Sequence, residues 1–122
     1  MVNREAVEAR LPGVGLCYNR VATKVSYGLR ISWDRSKNAS NQRKHGVSFD
    51  VAARVFLDPG RIEMYDDRED YGEDRWITIG AVESALLVVV YTLRDAGDEV
   101  IRLISARKAN AKEREAYRYC QA

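Results

Sequence analysis

The apolar run Ala85–Tyr91 constrains the fold of this chain more than any other feature. It reads ALLVVVY, which is too short to cross a bilayer as a helix and rich in residues that favour strands. A run that is apolar on both faces is typical of a strand in the middle of a sheet. The run therefore predicts the central strand of a buried sheet.

Turn residues on either side of this run divide the sequence into further strands. Glu83–Ser84 is a tight connection and Asp95–Asp98 is rich in turn residues, so we expect consecutive strands to form antiparallel hairpins. The predicted strands are Leu29–Trp33, Arg61–Tyr65, Arg75–Val82, Ala85–Leu93 and Glu99–Ser105.

Capping residues and apolar spacing indicate three helices. Asp34 and Ser48 suit N-caps, and Gly46 suits the position just past a helix end. In the second helix, the apolar residues fall at i, i+3, i+4 and i+7, at Phe49, Ala52, Ala53 and Phe56. The predicted helices are Asp34–His45, Ser48–Phe56 and Asn110–Cys120. We expect an α+β domain, in which two N-terminal helices and one C-terminal helix pack on one face of a small antiparallel sheet.

The first 28 residues differ from the rest of the chain. Pro12–Gly15 interrupts them, and neither helical nor strand periodicity persists there. We expect residues 1–28 to be an N-terminal extension and residues 29–122 to be the domain. The extension fits a mobile arm, a helix before Pro12, or sequence translated from upstream of the true start codon.

The charges are segregated along the chain although the formal net charge is only +2. Basic residues exceed acidic ones in Arg30–Arg54 and in Arg107–Arg118, whereas Asp58–Asp74 is strongly acidic. Such segregation creates a positive field over one surface. Two amphipathic helices with solvated basic faces would give the same pattern.

The cysteine and histidine content argues against a metal site. Cys17 and Cys120 lie near opposite ends, no CxxC spacing occurs, and His45 is the only histidine. The sequence shows neither a secretory signal nor an apolar run long enough to span a membrane. We therefore expect a cytoplasmic protein with reduced thiols, no metal and no cofactor.

Four polar residues share one face of the first predicted helix. Lys37, Asn41, Lys44 and His45 stand at i, i+4, i+7 and i+8. Two lysines, an amide and a histidine are poor core material and suit the binding of an anion. Histidine is the side chain that exchanges protons near neutral pH, so His45 is the natural acid or base here.

Several separated motifs resemble the BrnT toxin family, and together they extend over residues 29–119. They are Trp33-Asp34-x-x-Lys37 with Asn41, Lys44–Phe49, Asp70–Glu73 with Arg75, Ile77-x-Ile79-Gly80, Leu86–Thr92, and Ile104–Asn110 with Glu113 and Tyr117. Motifs that recur in order are far more specific than a single short pattern. The extension at residues 1–28 departs from the compact members of the family.

The resemblance implies a RelE-like fold and the toxin of a type II toxin–antitoxin pair. Members of the family are ribonucleases that block translation. Their antitoxins are encoded next door and carry a ribbon-helix-helix domain that binds DNA, and the complex represses its own promoter. We therefore expect a hetero-oligomer with an antitoxin, which reaches DNA only through that partner.

Metal-independent cleavage of RNA needs a base for the 2′ hydroxyl, cations for the transition state, and an acid for the leaving oxygen. Arginine binds phosphate through a bidentate fork, lysine supplies a point charge, and tyrosine stacks on bases or donates a hydrogen bond. We assign catalytic roles to Arg75, Arg107, His45 and Lys37, and RNA contacts to Lys44, Asn41, Tyr117 and Lys108.

Structural roles compete with these assignments. Arg75 suits an ion pair with Glu73 or Asp74, and Arg107 suits one with Glu113. The remaining alternatives are a helix-surface pair of Lys37 with Asp34, a helix-end role for His45, and a core position for Tyr117. Two other functions also fit the chain, namely a non-catalytic subunit that binds the antitoxin and tunes repression, and a plain RNA-binding module.

Overall fold

In the part of the chain that the structure describes, seven strands form one sheet in the order β1-β2-β4-β5-β6-β7-β3. The structure is a computed structural model that describes residues 30–94 and 100–121 in full, and the backbone of residues 4–10 and 17–23. The strands are β1 (Arg4–Arg10), β2 (Cys17–Thr23), β3 (Arg30–Ser32), β4 (Ile62–Tyr65), β5 (Trp76–Val82), β6 (Ala85–Arg94) and β7 (Val100–Lys108).

The apolar run lies in β6, which pairs antiparallel with β5 on one side and with β7 on the other. The central strand and the hairpins are therefore confirmed. The prediction of a wholly antiparallel sheet is wrong, because β3 pairs parallel with β7. A parallel neighbour needs a long connection, and two helices and three strands separate β3 from β7 in the sequence.

Three helices occupy the predicted positions, with the predicted caps. They are α1 (Arg35–His45), α2 (Phe49–Ala52), which continues as a 3-10 turn at Ala53–Leu57, and α3 (Ala111–Tyr119). The Asp34 carboxylate accepts hydrogen bonds from the backbone N–H groups of Ser36 and Lys37 at 2.8 and 3.1 Å. Gly46 ends α1 in the left-handed conformation, at φ 71°, which glycine adopts at no steric cost.

The helices cover both faces of the sheet, so the prediction that they share one face is wrong. On one face, Leu87, Val89 and Tyr91 of β6 pack with Phe49 and Ala52 of α2. Successive strand residues point to opposite faces, and the alternate residues Val88 and Val90 pack with Ala116 of α3. A central strand that is apolar on both faces needs cover on both. We call the side of the sheet that α1 and α2 cover the α1 face, and the side that α3 covers the α3 face.

Two strands, β1 and β2, add to the β4 edge of the sheet, and the sequence patterns did not predict them. The division of the chain at residue 28 stays a prediction. The predicted break at Pro12–Gly15 and the predicted turn at Asp95–Asp98 lie outside the described residues. Among the helices that the structure describes, none is long and apolar enough to span a membrane.

Candidate functional site

Asn41 fixes α1 to the sheet through its side chain. The Asn41 amide donates to the carbonyl oxygens of Ala106 and Val47 at 2.8 and 2.9 Å, and its oxygen accepts from the Ala106 N–H at 3.1 Å. The side chain is 7% exposed. A buried amide with these three bonds has a structural role, and the RNA contact of Asn41 stays a prediction.

The exposed surface of α1 is basic and contains no acidic residue. Five cationic or titratable side chains are exposed along the helix: Arg35, Lys37, Arg43, Lys44 and His45. In the described part of the chain, Lys37 makes no ion pair with Asp34, whose carboxylate caps the helix instead. The three basic residues of the last turn suit the helix dipole, but Arg35 and Lys37 stand at the end where the dipole disfavours cations.

Arg107 lies near the end of β7 and points to the α3 face. Its neighbour Ala106 is buried on the α1 face, so alternation turns Arg107 towards α3. There its two terminal nitrogens, Nη1 and Nη2, donate to Glu113 Oε1 and Oε2, both at 2.7 Å. The alternative of an Arg107–Glu113 ion pair is thus confirmed. Lys108, the next residue, is exposed and points to the α1 face.

Arg75 lies at the other end of the same face. Its carbonyl oxygen accepts from the Asp66 N–H at 2.8 Å, which extends the β4–β5 pairing by one step and places Arg75 on the side of Ile77. The guanidinium donates from Nε to Glu73 at 3.2 Å and lies over the ring of Tyr71, 4.0 Å from the ring centre. The predicted ion pair with Glu73 is confirmed, and Tyr71 holds the guanidinium plane by a cation–π contact.

Strand geometry places Arg75 and Arg107 within one surface. Arg107 of β7 pairs with Val88 of β6, and Val88 pairs with Ile79 of β5. Arg75 precedes Ile79 by four residues, and its strand lies two strands away from β7. At about 3.3 Å per residue and about 4.8 Å per strand, their Cα atoms lie roughly 16 Å apart. The apolar residues of β5 and β6 between them are buried in the core of the α3 face, so the two guanidinium side chains lie at the margins of that core.

Arg68 contributes a third guanidinium near this surface, and the sequence analysis did not single it out. It donates to both oxygens of the buried Asp66 carboxylate, at 2.7 and 2.8 Å. Its charge also makes a small contribution to lowering the pKa of Glu113. The available signal was that Arg68 is the only cation within the acidic segment Asp66–Asp74.

Burial on its own raises the pKa of Glu113, but hydrogen bonds from Arg107 and from the Asn110 backbone outweigh that effect and hold the pKa below its ordinary value. Glu113 is therefore a carboxylate at neutral pH. Its negative charge offsets the positive charge of Arg107, with which it forms an ion pair.

Tyr117 makes structural contacts, and its predicted RNA contact stays a prediction. Its hydroxyl donates to Asp58 Oδ2 at 2.6 Å, and the ring packs against the core of the α3 face. Asp58 Oδ2 also accepts from the Ala81 N–H at 2.7 Å. Burial and the Asp58 carboxylate both raise the pKa of Tyr117 above its ordinary value. The alternative of a core role for Tyr117 is confirmed.

A cavity of about 690 Å³ lies beside the loop before β5, and its lining has the wrong charge for RNA. The lining residues are Tyr65, Asp67, Glu69, Asp70, Tyr71, Gly72, Glu73 and Asp74. Five of these side chains are carboxylates, which repel a phosphate that enters the cavity. Across the described ranges, no three His, Cys, Asp or Glu side chains come together as a metal ligand set.

The structure divides the eight predicted site residues between the two faces. Arg75, Arg107 and Tyr117 lie on the α3 face. The other five belong to α1 or to the α1 face, namely Lys37, Asn41, Lys44, His45 and Lys108. His45 and Lys37 are exposed, but they are not brought together with the two arginines.

Comparison with known proteins identifies the class to which this fold and surface belong. Residues 33–113 match the family described as a ribonuclease toxin, BrnT, of type II toxin–antitoxin systems. The crystal structure of the Brucella abortus ribonuclease toxin BrnT matches with a TM-score of 0.50 and 27% sequence identity, and the match covers 67% of this chain and 97% of that toxin. No curated protein matches the chain.

The molecule is thus a toxin component of a type II toxin–antitoxin system. Since the family match covers well over half of the sequence, the chain belongs to the BrnT family of ribonuclease toxins.

Proposed function

We propose that the protein is a metal-independent endoribonuclease that arrests translation by cutting RNA on the α3 face of its sheet. The observation that carries the proposal is that Arg75 and Arg107 lie on the same face at the margins of its core, each held by a carboxylate and by further contacts. Guanidinium groups held in fixed orientations suit the pentacoordinate phosphate of an in-line attack, because they stabilise charge without reorganising.

We assign different roles to the arginines of the α3 face and to the cations of α1 and its face. Arg75 and Arg107 would stabilise the transition state, and Arg68 would add to the positive potential there. Lys37, Lys44 and Lys108 would bind the RNA backbone along α1 and its face of the sheet. His45 also belongs to this second set, so we propose that it contacts the RNA. Solvent water then accepts the proton of the 2′ hydroxyl and protonates the leaving 5′ oxygen.

The toxin class requires an antitoxin, and the finer features of that partnership are part of the proposal. We propose a ribbon-helix-helix antitoxin that covers the basic surface in a hetero-oligomer, a DNA contact made only through that antitoxin, a RelE-like ancestry of the fold, and a cytoplasmic site of action. A basic surface favours an acidic or apolar segment of the partner, since such a segment neutralises charge and blocks the substrate.

A second candidate is a catalytically inactive subunit that binds the antitoxin and tunes repression. The ion pairs favour it, because Arg75 already donates to Glu73 and Arg107 already donates to Glu113. Under this alternative the arginines stabilise the loop and α3, and RNA is not cut.

Induced expression in a bacterial host separates the two candidates. We expect growth arrest with cleavage of total RNA, rescue by the neighbouring open reading frame, and loss of both effects in Arg75→Ala. The matched control is Arg54→Ala, which removes an arginine from an exposed ion pair with Glu83 on the surface. Normal growth with abundant soluble wild-type protein would establish the inactive subunit.

A further inference from the structure

Glu113 joins the start of α3 to the guanidinium of Arg107. Glu113 Oε1 accepts from Arg107 Nη1 at 2.7 Å and from the Asn110 backbone N–H at 2.9 Å, and Oε2 accepts from Arg107 Nη2 at 2.7 Å. The Asn110 side chain in turn accepts from the Glu113 N–H at 2.9 Å. These contacts form a capping box with an arginine attached to it.

The geometry fixes the plane of the guanidinium as well as its position. Two parallel N–H···O bonds to one carboxylate make the Arg107 and Glu113 groups coplanar, which a single bond does not. The carboxylate is itself held in place, because the backbone N–H of Asn110 donates to it. The side chain of Glu113 is also 14% exposed, whereas that of Arg107 is 39% exposed. The more buried partner therefore sets the orientation of the more exposed one.

We propose that Glu113 is a positioning residue, which holds the guanidinium of Arg107 in the orientation that the scissile phosphate of RNA requires. This role rests on the proposed ribonuclease activity. Glu113 neither contacts RNA nor transfers a proton. Because a small misorientation of a transition-state contact lowers the rate more than it weakens binding of the ground state, its loss affects kcat in preference to KM.

The capping box supplies a matched pair of variants. Glu113→Gln keeps an acceptor for the Asn110 N–H, since glutamine also serves at this capping position, but it cannot hold Arg107 through two carboxylate oxygens. Asn110→Ala removes the other half of the cap and leaves the Arg107–Glu113 pair in place. A purely structural role for Glu113 predicts that Asn110→Ala is at least as harmful as Glu113→Gln.

The experiment measures kcat and KM of the purified full-length protein on a single-stranded RNA oligonucleotide, together with its unfolding in urea. We expect Glu113→Gln to lower kcat by about tenfold or more, with KM changed less than about threefold. We expect Asn110→Ala to keep kcat within about twofold of the wild type despite its loss of stability. In the Arg107→Ala background, Glu113→Gln should have no further effect on kcat, because the two residues act as one unit.

Equal losses of kcat in Glu113→Gln and Asn110→Ala, or wild-type kcat in Glu113→Gln, would overturn the positioning role while leaving the ribonuclease in place. A further loss in the double variant would also overturn it. Absence of cleavage by the wild-type protein would overturn the proposed ribonuclease, and with it this role.

Discussion

The side chain of Asn41 binds the backbone of Ala106 as a neighbouring strand would, donating to its carbonyl oxygen and accepting from its N–H. This places a helix with an acid-free, basic exposed surface directly on β7. Arg107, one residue beyond Ala106, points to the opposite face. One buried amide thereby fixes the spatial relation between the two cationic surfaces of the molecule.

Replacing Asn41 by alanine should be strongly destabilising. The change leaves the N–H and carbonyl of Ala106 and the carbonyl of Val47 without the partners they have in the interior, at a cost of roughly 3 kcal/mol in the free energy of unfolding. Urea denaturation measures the loss. Gln42→Ala, on the exposed neighbour, should stay within about 0.5 kcal/mol of the wild type. An Asn41→Ala protein of unchanged stability would refute the structural role.

Arg75→Ala and Arg107→Ala should each abolish toxicity while the fold is retained. Both side chains are partly exposed at the edges of the core, so their removal costs little packing but takes a cation from the proposed transition-state contacts. Growth after induction and the amount of soluble, cooperatively unfolding protein are the two measurements. Full growth arrest by both soluble variants would show that the α3 face is not the active surface.

The cations of α1 should affect RNA binding rather than the chemical step. Substituting Lys37 and Lys44 by glutamine removes two exposed charges, so we expect a several-fold higher KM, an unchanged kcat, and a shallower dependence of binding on salt. His45→Ala should behave in the same way. If His45→Ala instead lowers kcat by about 100-fold or more, it acts in proton transfer, and the separation of the two faces is not the functional one.

Tyr117→Phe should destabilise the protein and leave RNA cleavage intact. It removes the 2.6 Å hydrogen bond to Asp58 and costs about 1.5–3 kcal/mol, as expected for a hydrogen bond to a charged group. The phenyl ring retains any capacity to stack on a base. Thermal unfolding and the cleavage rate per folded molecule together test this, and normal stability with impaired cleavage would return Tyr117 to the RNA contacts.

Local signals predicted the elements well because caps and periodicity act within a few residues. Asp34, Gly46 and Ser48 all perform their predicted capping roles, and the apolar stripe of the second helix is buried at Phe49, Ala52 and Phe56. The parallel placement of β3 was not predictable in this way, since it depends on a pairing between residues about 70 positions apart.

The same limit applies to the site. The spacing of Asn41 with Lys37 and Lys44 indicates a common helical face, but spacing alone does not show which side of that face meets the sheet. A polar residue in the middle of a helix fits solvent as well as a buried strand edge. Because Ala85–Tyr91 is apolar on both faces of its strand, helices or other elements must cover both faces of the sheet. The prediction that all helices lie on one face conflicted with this pattern.

The Arg107–Glu113 pair also makes a prediction about pH. The pKa of Glu113 is lowered in the folded protein from its ordinary value of 4.5, so the folded state binds the proton less readily than the unfolded state does. The resulting stability is fully present above the unfolded value and is lost as the pH falls through the lower, folded pKa. The difference in free energy of unfolding between the wild type and Glu113→Gln should therefore be constant from pH 6 to 7 (about two units above that value) and should shrink below about pH 4.5. Urea denaturation across this range measures this difference.

In the Arg107→Ala background the main cause of the lowered pKa of Glu113 is gone, so the difference should depend much less on pH. A pH dependence that is the same with and without Arg107 would show that the guanidinium does not hold the carboxylate.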